Sequence, residues 1–249
     1  MLFEHELLKR YDIDFKYNIP KGEVKGVILG VHGFAGDKDS SALRKLAEAV
    51  EEDGIALVCF DFPAHGVSPV NGDRFTIFNC MTDLKYMANW IRLKFPEAKK
   101  YLFATSFGGF ITLNCAEELS DFSIVLRAPA VTMPSLFLNI SEIPVEEYRK
   151  AGRWQCGIEG ERSLIVPYAF YEEIQNPKYD VKNKTFTEQM LVIHGDKDIT
   201  VPYSDVKEFC RRNADHVTLK VVNGADHRFK KPGEIEEVIR LTKEFWNLQ

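Results

Sequence analysis

A serine near the middle of the chain stands in a setting that favours nucleophilic chemistry. Ser106 lies in the run Phe103–Gly109 (FATSFGG), which joins a predicted strand to a predicted helix. Because a serine on such a sharp turn projects its hydroxyl above the sheet, it can attack a carbonyl carbon. The motif common at this kind of turn is G-x-S-x-G; here Ala104 replaces the first glycine and Gly108 keeps the second. The pattern predicts Ser106 as the nucleophile of an acyl transfer.

An acidic turn in the last quarter of the chain offers a partner for this nucleophile. The apolar run 191–194 (LVIH) predicts a strand, and the turn after it contains Asp196 and Asp198. Ligand sites of open α/β sheets form at the carboxyl ends of the strands, where such an acid would lie. Both acids have a structural alternative, since aspartates form turns and cap helices. The position within the motif favours Asp198 for catalysis and Asp196 for the structural role.

A histidine in the next loop supplies the third group. His227 ends the run 221–227 (VVNGADH), 29 residues after Asp198, which leaves room for one helix and one strand. The chain order serine, aspartate, histidine differs from that of chymotrypsin-like and subtilisin-like enzymes. We expect His227 to take the proton of Ser106, and Asp198 to hold the imidazole in the required tautomer. Asp226 adjoins His227 in sequence and cannot easily face the same ring, so we assign it to the loop.

A glycine-rich run near the amino terminus, Gly30–Gly36 (GVHGFAG), predicts a loop that stabilises negative charge. Acyl transfer develops that charge on the carbonyl oxygen, and preorganised backbone N–H groups stabilise it. We expect one donor from the amide of Phe107, directly after the nucleophile, and the other from the amide of Phe34 in this loop. His32 is interpreted as a brace for the loop, and His194, at the end of a later strand, as structural.

The elements that must position these residues alternate along the chain. Apolar runs with strand character precede each of the four sites, and amphipathic helices separate the runs. Strands joined by helices of this length imply right-handed crossovers and a mostly parallel, twisted sheet with helices on both faces. The predicted strands are 24–32, 55–61, 100–104, 123–127, 190–194 and 217–222; the predicted helices contain residues 43–50, 84–95, 107–119, 204 onward and 235–245; and residues 2–17 supply one or two antiparallel edge strands.

One stretch, residues 132–187, interrupts the alternation and is rich in prolines and aromatic residues. A segment of this length is too long for a plain connection in a compact domain. We therefore predict an inserted cap over the carboxyl edge of the sheet, with residues 1–131 and 188–249 forming the core. The alternative is an irregular structural excursion. The aromatic residues of the segment would either line an acyl pocket or form a small core of their own, and the sequence leaves both open.

Composition narrows the class of protein. The 249 residues fit one domain with an insertion, and the net charge of −5 argues against a nucleic-acid partner. No stretch of apolar residues is long enough to predict a membrane span. The five cysteines form no C-x-x-C pair, so we expect neither a disulfide scaffold nor a zinc site, and a cytoplasmic location. No metal-ligand spacing, G-x-G-x-x-G or Walker-type loop implies a metal or cofactor. The expected partner is a small-molecule ester, and the oligomeric state is left open.

Taken together, these motifs resemble the α/β-hydrolase superfamily over nearly the whole chain. Within it, four short runs are similar to bacterial feruloyl/cinnamoyl esterases: 32–36 (HGFAG), 61–68 (DFPAHGVS), 126–130 (LRAPA) and 224–227 (GADH). The resemblance implies an α/β-hydrolase fold with a substrate-covering insertion after the 126–130 run. It also implies a serine esterase whose triad is Ser106, Asp198 and His227, with the amides of Phe34 and Phe107 as oxyanion donors.

The expected reaction is a two-step hydrolysis, in which an acyl-enzyme forms on Ser106 and is then cleaved by water that His227 activates. A hydroxycinnamate (feruloyl) ester is one candidate substrate. The same triad would also serve a monoacylglycerol lipase, a thioesterase, an acyltransferase or a peptidase of this superfamily. A non-catalytic binding protein on the same scaffold is the alternative from another class.

Overall fold

The apolar runs of the sequence form strands in the computed structural model, which describes residues 11–156 and 163–249. The strands of the described residues are β1 (Phe15–Asn18), β2 (Gly26–Val31), β3 (Ile55–Phe60), β4 (Lys99–Thr105), β5 (Ser123–Arg127), β6 (Arg153–Cys156), β7 (Leu164–Pro167), β8 (Met190–Gly195) and β9 (Val217–Val222). Seven of them form one sheet in the order β1-β3-β2-β4-β5-β8-β9. Only β1 runs antiparallel to its neighbour in this sheet. The predicted mostly parallel sheet is therefore confirmed.

Helices cover both faces of this sheet, as the alternation predicted. They are α1 (Ser41–Val50), α2 (Ile77–Lys94), α3 (Phe107–Asn114), α4 (Met133–Ser141), α5 (Val145–Ala151), α6 (Tyr168–Ile174), α7 (Tyr203–Arg212) and α8 (Glu234–Trp246). Apolar residues of α1 and α8 pack on one face, and those of α2, α3 and α7 pack on the other. Since both faces are covered, every residue of β2, β3 and β8 is buried. None of the helices in the described ranges is long and apolar enough to cross a membrane.

Two local predictions need adjustment. The helix predicted over 107–119 ends at Asn114, and a 3-10 turn follows over Ala116–Leu119. Here the Thr112 hydroxyl and the Asn114 side-chain amide donate to carbonyls four residues back, and the amide of Cys115 donates to Thr112 O, which tightens the last turn. In the opening segment, β1 is the one antiparallel edge strand of the described part, and residues 1–10 of the prediction lie outside it.

The segment between β5 and β8 folds against the sheet and shares its core. It contains α4, α5, the antiparallel pair β6–β7 and α6, followed by a 3-10 turn at Pro177–Tyr179. Phe137, Tyr148 and Phe170 of this segment are almost fully buried in the same apolar cluster as Leu126 of β5. The boundaries of a cap at 132 and 187 therefore stay a prediction, because the packing is continuous across them.

Candidate active site

Ser106 lies on a strained turn between β4 and α3. Its backbone has φ of +50° and ψ of −114°, a conformation that L residues rarely adopt. The turn is tight because β2 and α3 approach closely: a methyl group on Gly108 would lie 2.4 Å from the carbonyl oxygen of His32. Glycine at 108 is thus required by contact, and the turn presents the Ser106 hydroxyl at the carboxyl edge of the sheet.

His227 connects Ser106 to Asp198 through both ring nitrogens. Its Nδ1 lies 2.7 Å from Asp198 Oδ2, and its Nε2 lies 3.0 Å from Ser106 Oγ. Nδ1 therefore donates to the carboxylate, and Nε2 is left to accept the hydroxyl proton of Ser106. The structure brings together the three side chains that the sequence analysis selected from three different strand ends.

The carboxylate of Asp198 is held in place by backbone amides. The side chain is buried, and Oδ1 accepts hydrogen bonds from the amides of Thr200, at 2.9 Å, and Val201, at 2.8 Å. Its Oδ2 remains for His227 and also lies 3.4 Å from Nε2 of His194. That second histidine donates to the carbonyl of Val201 at 3.0 Å, and burial lowers its pKa, so it stays neutral beside the acid.

The two neighbouring acids have other partners. Asp196 accepts a hydrogen bond from the amide of Gly224, and this bond lowers the pKa of Asp196. It therefore ties the turn after β8 to the loop that carries His227. The side chain of Asp226 accepts from the amides of Arg228, at 2.9 Å, and Phe229, at 3.0 Å, and so forms a turn.

The loop after β2 lies against Ser106 and is braced by His32. Nδ1 of His32 donates to the carbonyl of Gly33 at 2.8 Å, and Nε2 accepts from the amide of Phe62 at 3.0 Å. Burial lowers the pKa of His32, which keeps the ring neutral. A methyl group on Gly33 would lie 3.3 Å from Ser106 Cβ, so the loop that contains Phe34 adjoins the nucleophile.

The second expected donor, the amide of Phe107, belongs to the first residue of α3. The first hydrogen bond of this turn runs from the amide of Phe110 to the carbonyl of Ser106. The Phe107 amide precedes it and has no partner within the helix. It is therefore available to an oxygen bound above Ser106.

Ser106 and His227 open into a cavity of about 960 Å³. Of the segment 132–187, the described residues that line it are Ile140 and Cys156, and the lining aromatic rings apart from histidine are Phe34 and Phe229. The aromatic residues of the segment instead pack on one another. For example, the ring centroids of Phe137 and Phe170 are 5.3 Å apart. Of the two alternatives left open above, the packing favours a structural core.

Sequence reasoning missed the basic residues of this cavity. Its lining includes Lys45, Arg127, Arg228, Lys230 and Lys231. Of these, Arg127 had a usable signal, because it is a charged residue at the carboxyl end of a buried strand, next to the strand that leads to the nucleophile. The others come from α1 and from the loop before α8, and nothing in their local sequence links them.

A family comparison agrees with this geometry. Residues 22–154, just over half of the chain, match the family described as serine aminopeptidase, S33. The chain belongs to this family of α/β-hydrolases. No curated protein matches this S33 hydrolase at a significant level of sequence similarity.

Solved structures confirm the fold of the S33 hydrolase. It is similar to Est1E from Butyrivibrio proteoclasticus with bound ferulic acid, with a TM-score of 0.81, 20% identity and 96% of each chain covered. A putative hydrolase from Agrobacterium vitis S4 has a TM-score of 0.76 and 20% identity, over 94% of this chain and 92% of the other. Mouse alpha/beta hydrolase domain-containing protein 10 has a TM-score of 0.70 and 22% identity, with 94% of each chain covered.

Proposed function

We propose that this S33 hydrolase cleaves carboxylic esters through an acyl-enzyme on Ser106. The observation that carries the proposal is the continuous hydrogen-bond path from Ser106 Oγ to His227, at 3.0 Å, and from His227 to Asp198, at 2.7 Å. A hydroxyl beside a neutral imidazole that a buried carboxylate orients is the arrangement that activates serine for acyl transfer.

In the proposed reaction, Nε2 of His227 takes the hydroxyl proton while Ser106 Oγ attacks the carbonyl carbon. The negative charge that develops on the carbonyl oxygen is stabilised by the amides of Phe34 and Phe107, and Asp198 stabilises the imidazolium. His227 then gives its proton to the departing alcohol. In the second step His227 takes a proton from water, the hydroxide oxygen bonds to the acyl carbon, and the proton returns to Ser106 as the acid leaves.

The charges around the cavity favour an ester over an aminopeptidase substrate. An aminopeptidase must bind the ammonium group of its substrate, which calls for carboxylates near the nucleophile. The acidic residues among the described lining are Asp37 and Glu236, and Glu236 forms an ion pair with Lys45 at 2.5 Å. Basic residues outnumber them, so a substrate ammonium would be repelled.

A hydroxycinnamate ester is the finer hypothesis. It is supported by the four motifs that resemble feruloyl/cinnamoyl esterases and by the likeness to Est1E, whose structure holds ferulic acid. Methyl ferulate, p-nitrophenyl hexanoate, a monoacylglycerol, an acyl thioester and an aminoacyl anilide distinguish this hypothesis from the lipase, thioesterase and peptidase alternatives by kcat/KM. Addition of an acceptor alcohol tests for acyl transfer.

The decisive experiment for the proposed function is labelling with a fluorophosphonate followed by mass mapping of the modified residue. We expect the label on Ser106, and a loss of ester hydrolysis on the order of 10⁴-fold or more in Ser106→Ala. Ser135→Ala, at an exposed serine of α4, is the matched control and should keep both labelling and activity. A label on another residue, or full activity in Ser106→Ala, would refute the assignment, and failure of the protein to label would favour a binding protein on this scaffold.

A further inference from the structure

The cavity beside Ser106 carries a charge opposite to that of the molecule as a whole. The chain has a net charge of −5, yet the described lining contains Lys45, Arg127, Arg228, Lys230 and Lys231 against two acids. Because basic residues concentrate here in an acidic protein, the local field favours anions and would raise their concentration at the site.

Arg127 is a basic residue of the cavity whose backbone adjoins that of the nucleophile. It ends β5, where it pairs in register with Thr105 of β4, and its carbonyl accepts the amide of Ser106 at 2.9 Å. Both Arg127 and Ser106 line the cavity. One small molecule in this cavity can therefore contact both Arg127 and Ser106.

The guanidinium of Arg127 is half-buried, with few acceptors for its five N–H groups. Nε donates to Thr105 Oγ1 at 3.3 Å, one terminal nitrogen donates to the carbonyl of Arg228 at 3.4 Å, and the ring of Phe229 lies 5.3 Å away. Both hydrogen bonds are long. Burial lowers the pKa of Arg127 to about 10, although the charge of Asp198 acts in the opposite direction, so the group remains charged at neutral pH. A half-buried cation in this state gains most from an anionic ligand.

The described acids that line the cavity form no ion pair with Arg127. Within the described ranges, no carboxylate lies at ion-pair distance from Arg127, Arg228 or Lys230. Glu236 is paired with Lys45, and Asp37 accepts the amide of Asp39 at 2.8 Å. Ser40 and Ser41, at the amino end of α1, also line the cavity, and the first turn of this helix contains no acid. The positive end of the helix dipole therefore adds to the field of the basic side chains.

From this arrangement we infer that the preferred substrates carry an anionic oxygen group, a carboxylate or a phosphate, in addition to the ester that Ser106 attacks. Arg127 binds this group, and Arg228 and Lys230 attract it at the exposed mouth of the cavity. The inference rests on the proposed function, since it names the substrate class of the same site. Planar, paired N–H donors suit both carboxylate and phosphate, so the shared chemistry is the oxyanion.

The test compares matched substrates with and without the negative charge. Mono-p-nitrophenyl adipate and p-nitrophenyl hexanoate have the same six-carbon acyl chain, and only the adipate ester ends in a carboxylate. Hexanoyl-4′-phosphopantetheine and hexanoylpantetheine have the same thioester and the same arm, and only the first carries a phosphate on the leaving group. We expect kcat/KM to favour the anionic member of at least one pair by roughly tenfold, and this preference to fall by roughly tenfold in Arg127→Gln. The pair that responds identifies the source of the anion.

Within each pair, the ratio of kcat/KM for the anionic and the neutral substrate shows whether Arg127 binds the anion or only positions the catalytic groups. If Arg127 only stabilised the charge of Asp198, Arg127→Gln would lower kcat/KM of both members equally and leave the ratio unchanged, which would overturn the inference. Lys230→Gln, at an exposed residue that should not affect folding, is expected to lower the ratio by a smaller factor that added salt abolishes. Lys94→Gln removes an exposed cation at the end of α2, away from the cavity lining, and should keep the ratio of the wild type.

A binding measurement keeps this inference separate from the proposed function. Calorimetry with adipate and with coenzyme A on Ser106→Ala does not require turnover, and we expect at least one to bind with an affinity that Arg127→Gln reduces. Ester hydrolysis without preference for an anionic substrate would leave the proposed function standing and refute this inference. Absence of labelling and hydrolysis, together with Arg127-dependent binding, would refute the proposed function alone.

Discussion

At the scale of single residues, the candidate site depends on hydrogen bonds between its functional groups and nearby backbone atoms. The amides of Thr200 and Val201 fix one oxygen of Asp198, so the other oxygen points at His227. In the same way, the neutral ring of His32 holds the carbonyl of Gly33, and with it the loop that carries Phe34. The functional groups are preorganised because their hydrogen-bond partners are backbone atoms at strand ends, which have little freedom to move.

The contrast between the two acids of the turn after β8 gives a residue-scale prediction. Asp198→Asn keeps an oxygen for the amides of Thr200 and Val201, so the fold should persist, but the amide group cannot hold His227 in the tautomer that accepts the proton of Ser106. We expect kcat for ester hydrolysis to fall by about 10⁴-fold. The matched variant Asp196→Asn should lose less than about tenfold, because Asp196 contacts the amide of Gly224 and not the imidazole. Similar losses in the two variants would contradict the assignment of Asp198.

At the scale of elements, α2 carries a buried acid that the candidate site does not use. Asp83 is almost fully buried on this helix, and its Oδ1 accepts a hydrogen bond from the hydroxyl of Tyr11, before β1, at 2.7 Å. Burial raises the pKa of Asp83 to about 7, although the bond from Tyr11 acts in the opposite direction. The hydrogen bond from Tyr11 thus favours the carboxylate, but the larger effect is burial, which favours the protonated acid.

This buried acid makes the stability of the fold dependent on pH. The folded protein binds the proton of Asp83 more tightly than the unfolded chain, whose aspartates have a pKa of about 3.9. The free energy of unfolding should therefore fall as the pH rises from about 4 to about 7, and level off above that. Asp83→Asn keeps a neutral acceptor for Tyr11 and should be more stable than the wild type at about pH 8, by on the order of 2 kcal/mol, with a smaller difference at about pH 5. Urea unfolding at both pH values measures this. Asp73→Asn, at an exposed aspartate, is the control, and its difference in free energy of unfolding from the wild type should be the same at both pH values. If Asp83→Asn stabilised the protein equally at both pH values, the argument would be contradicted.

At the scale of the whole molecule, the segment between β5 and β8 shares one apolar cluster with the sheet. Aromatic residues of the segment continue the apolar cluster that covers β2, β4 and β5. The ring of Phe137 contacts Tyr148 and Trp154 within the segment and also Phe34 of the loop after β2. Loss of this packing should therefore lower the stability of the sheet as well as that of the segment.

A whole-molecule prediction follows from the shared core. Phe137→Ala should lower the free energy of unfolding by roughly 3–5 kcal/mol, with a single transition whether unfolding is followed by far-UV circular dichroism or by tryptophan fluorescence. In a Trp90→Phe background, a further Trp154→Phe leaves Trp246 of the sheet helix α8 as the reporter, and a further Trp246→Phe leaves Trp154 of the segment. Ile140→Ala, at a half-exposed residue of the cavity wall, should cost less than about 1 kcal/mol. Two separate transitions would instead indicate a cap that folds independently.

The sequence by itself determined the fold and the identity of the candidate catalytic residues. Strand and helix periodicities are local signals, and so are the turns that place Ser106, Asp198 and His227 directly after strands; parallel strands then bring these ends to one edge of the sheet. Only the tertiary structure decided what surrounds them. The aromatic residues of 132–187 pack as core rather than as a pocket wall, and Arg127 meets basic residues of α1 and of the loop before α8 in one cavity. These residues lie far apart in the chain, and no local pattern specifies which of them share a cavity, because that depends on how the helices pack across the sheet edge.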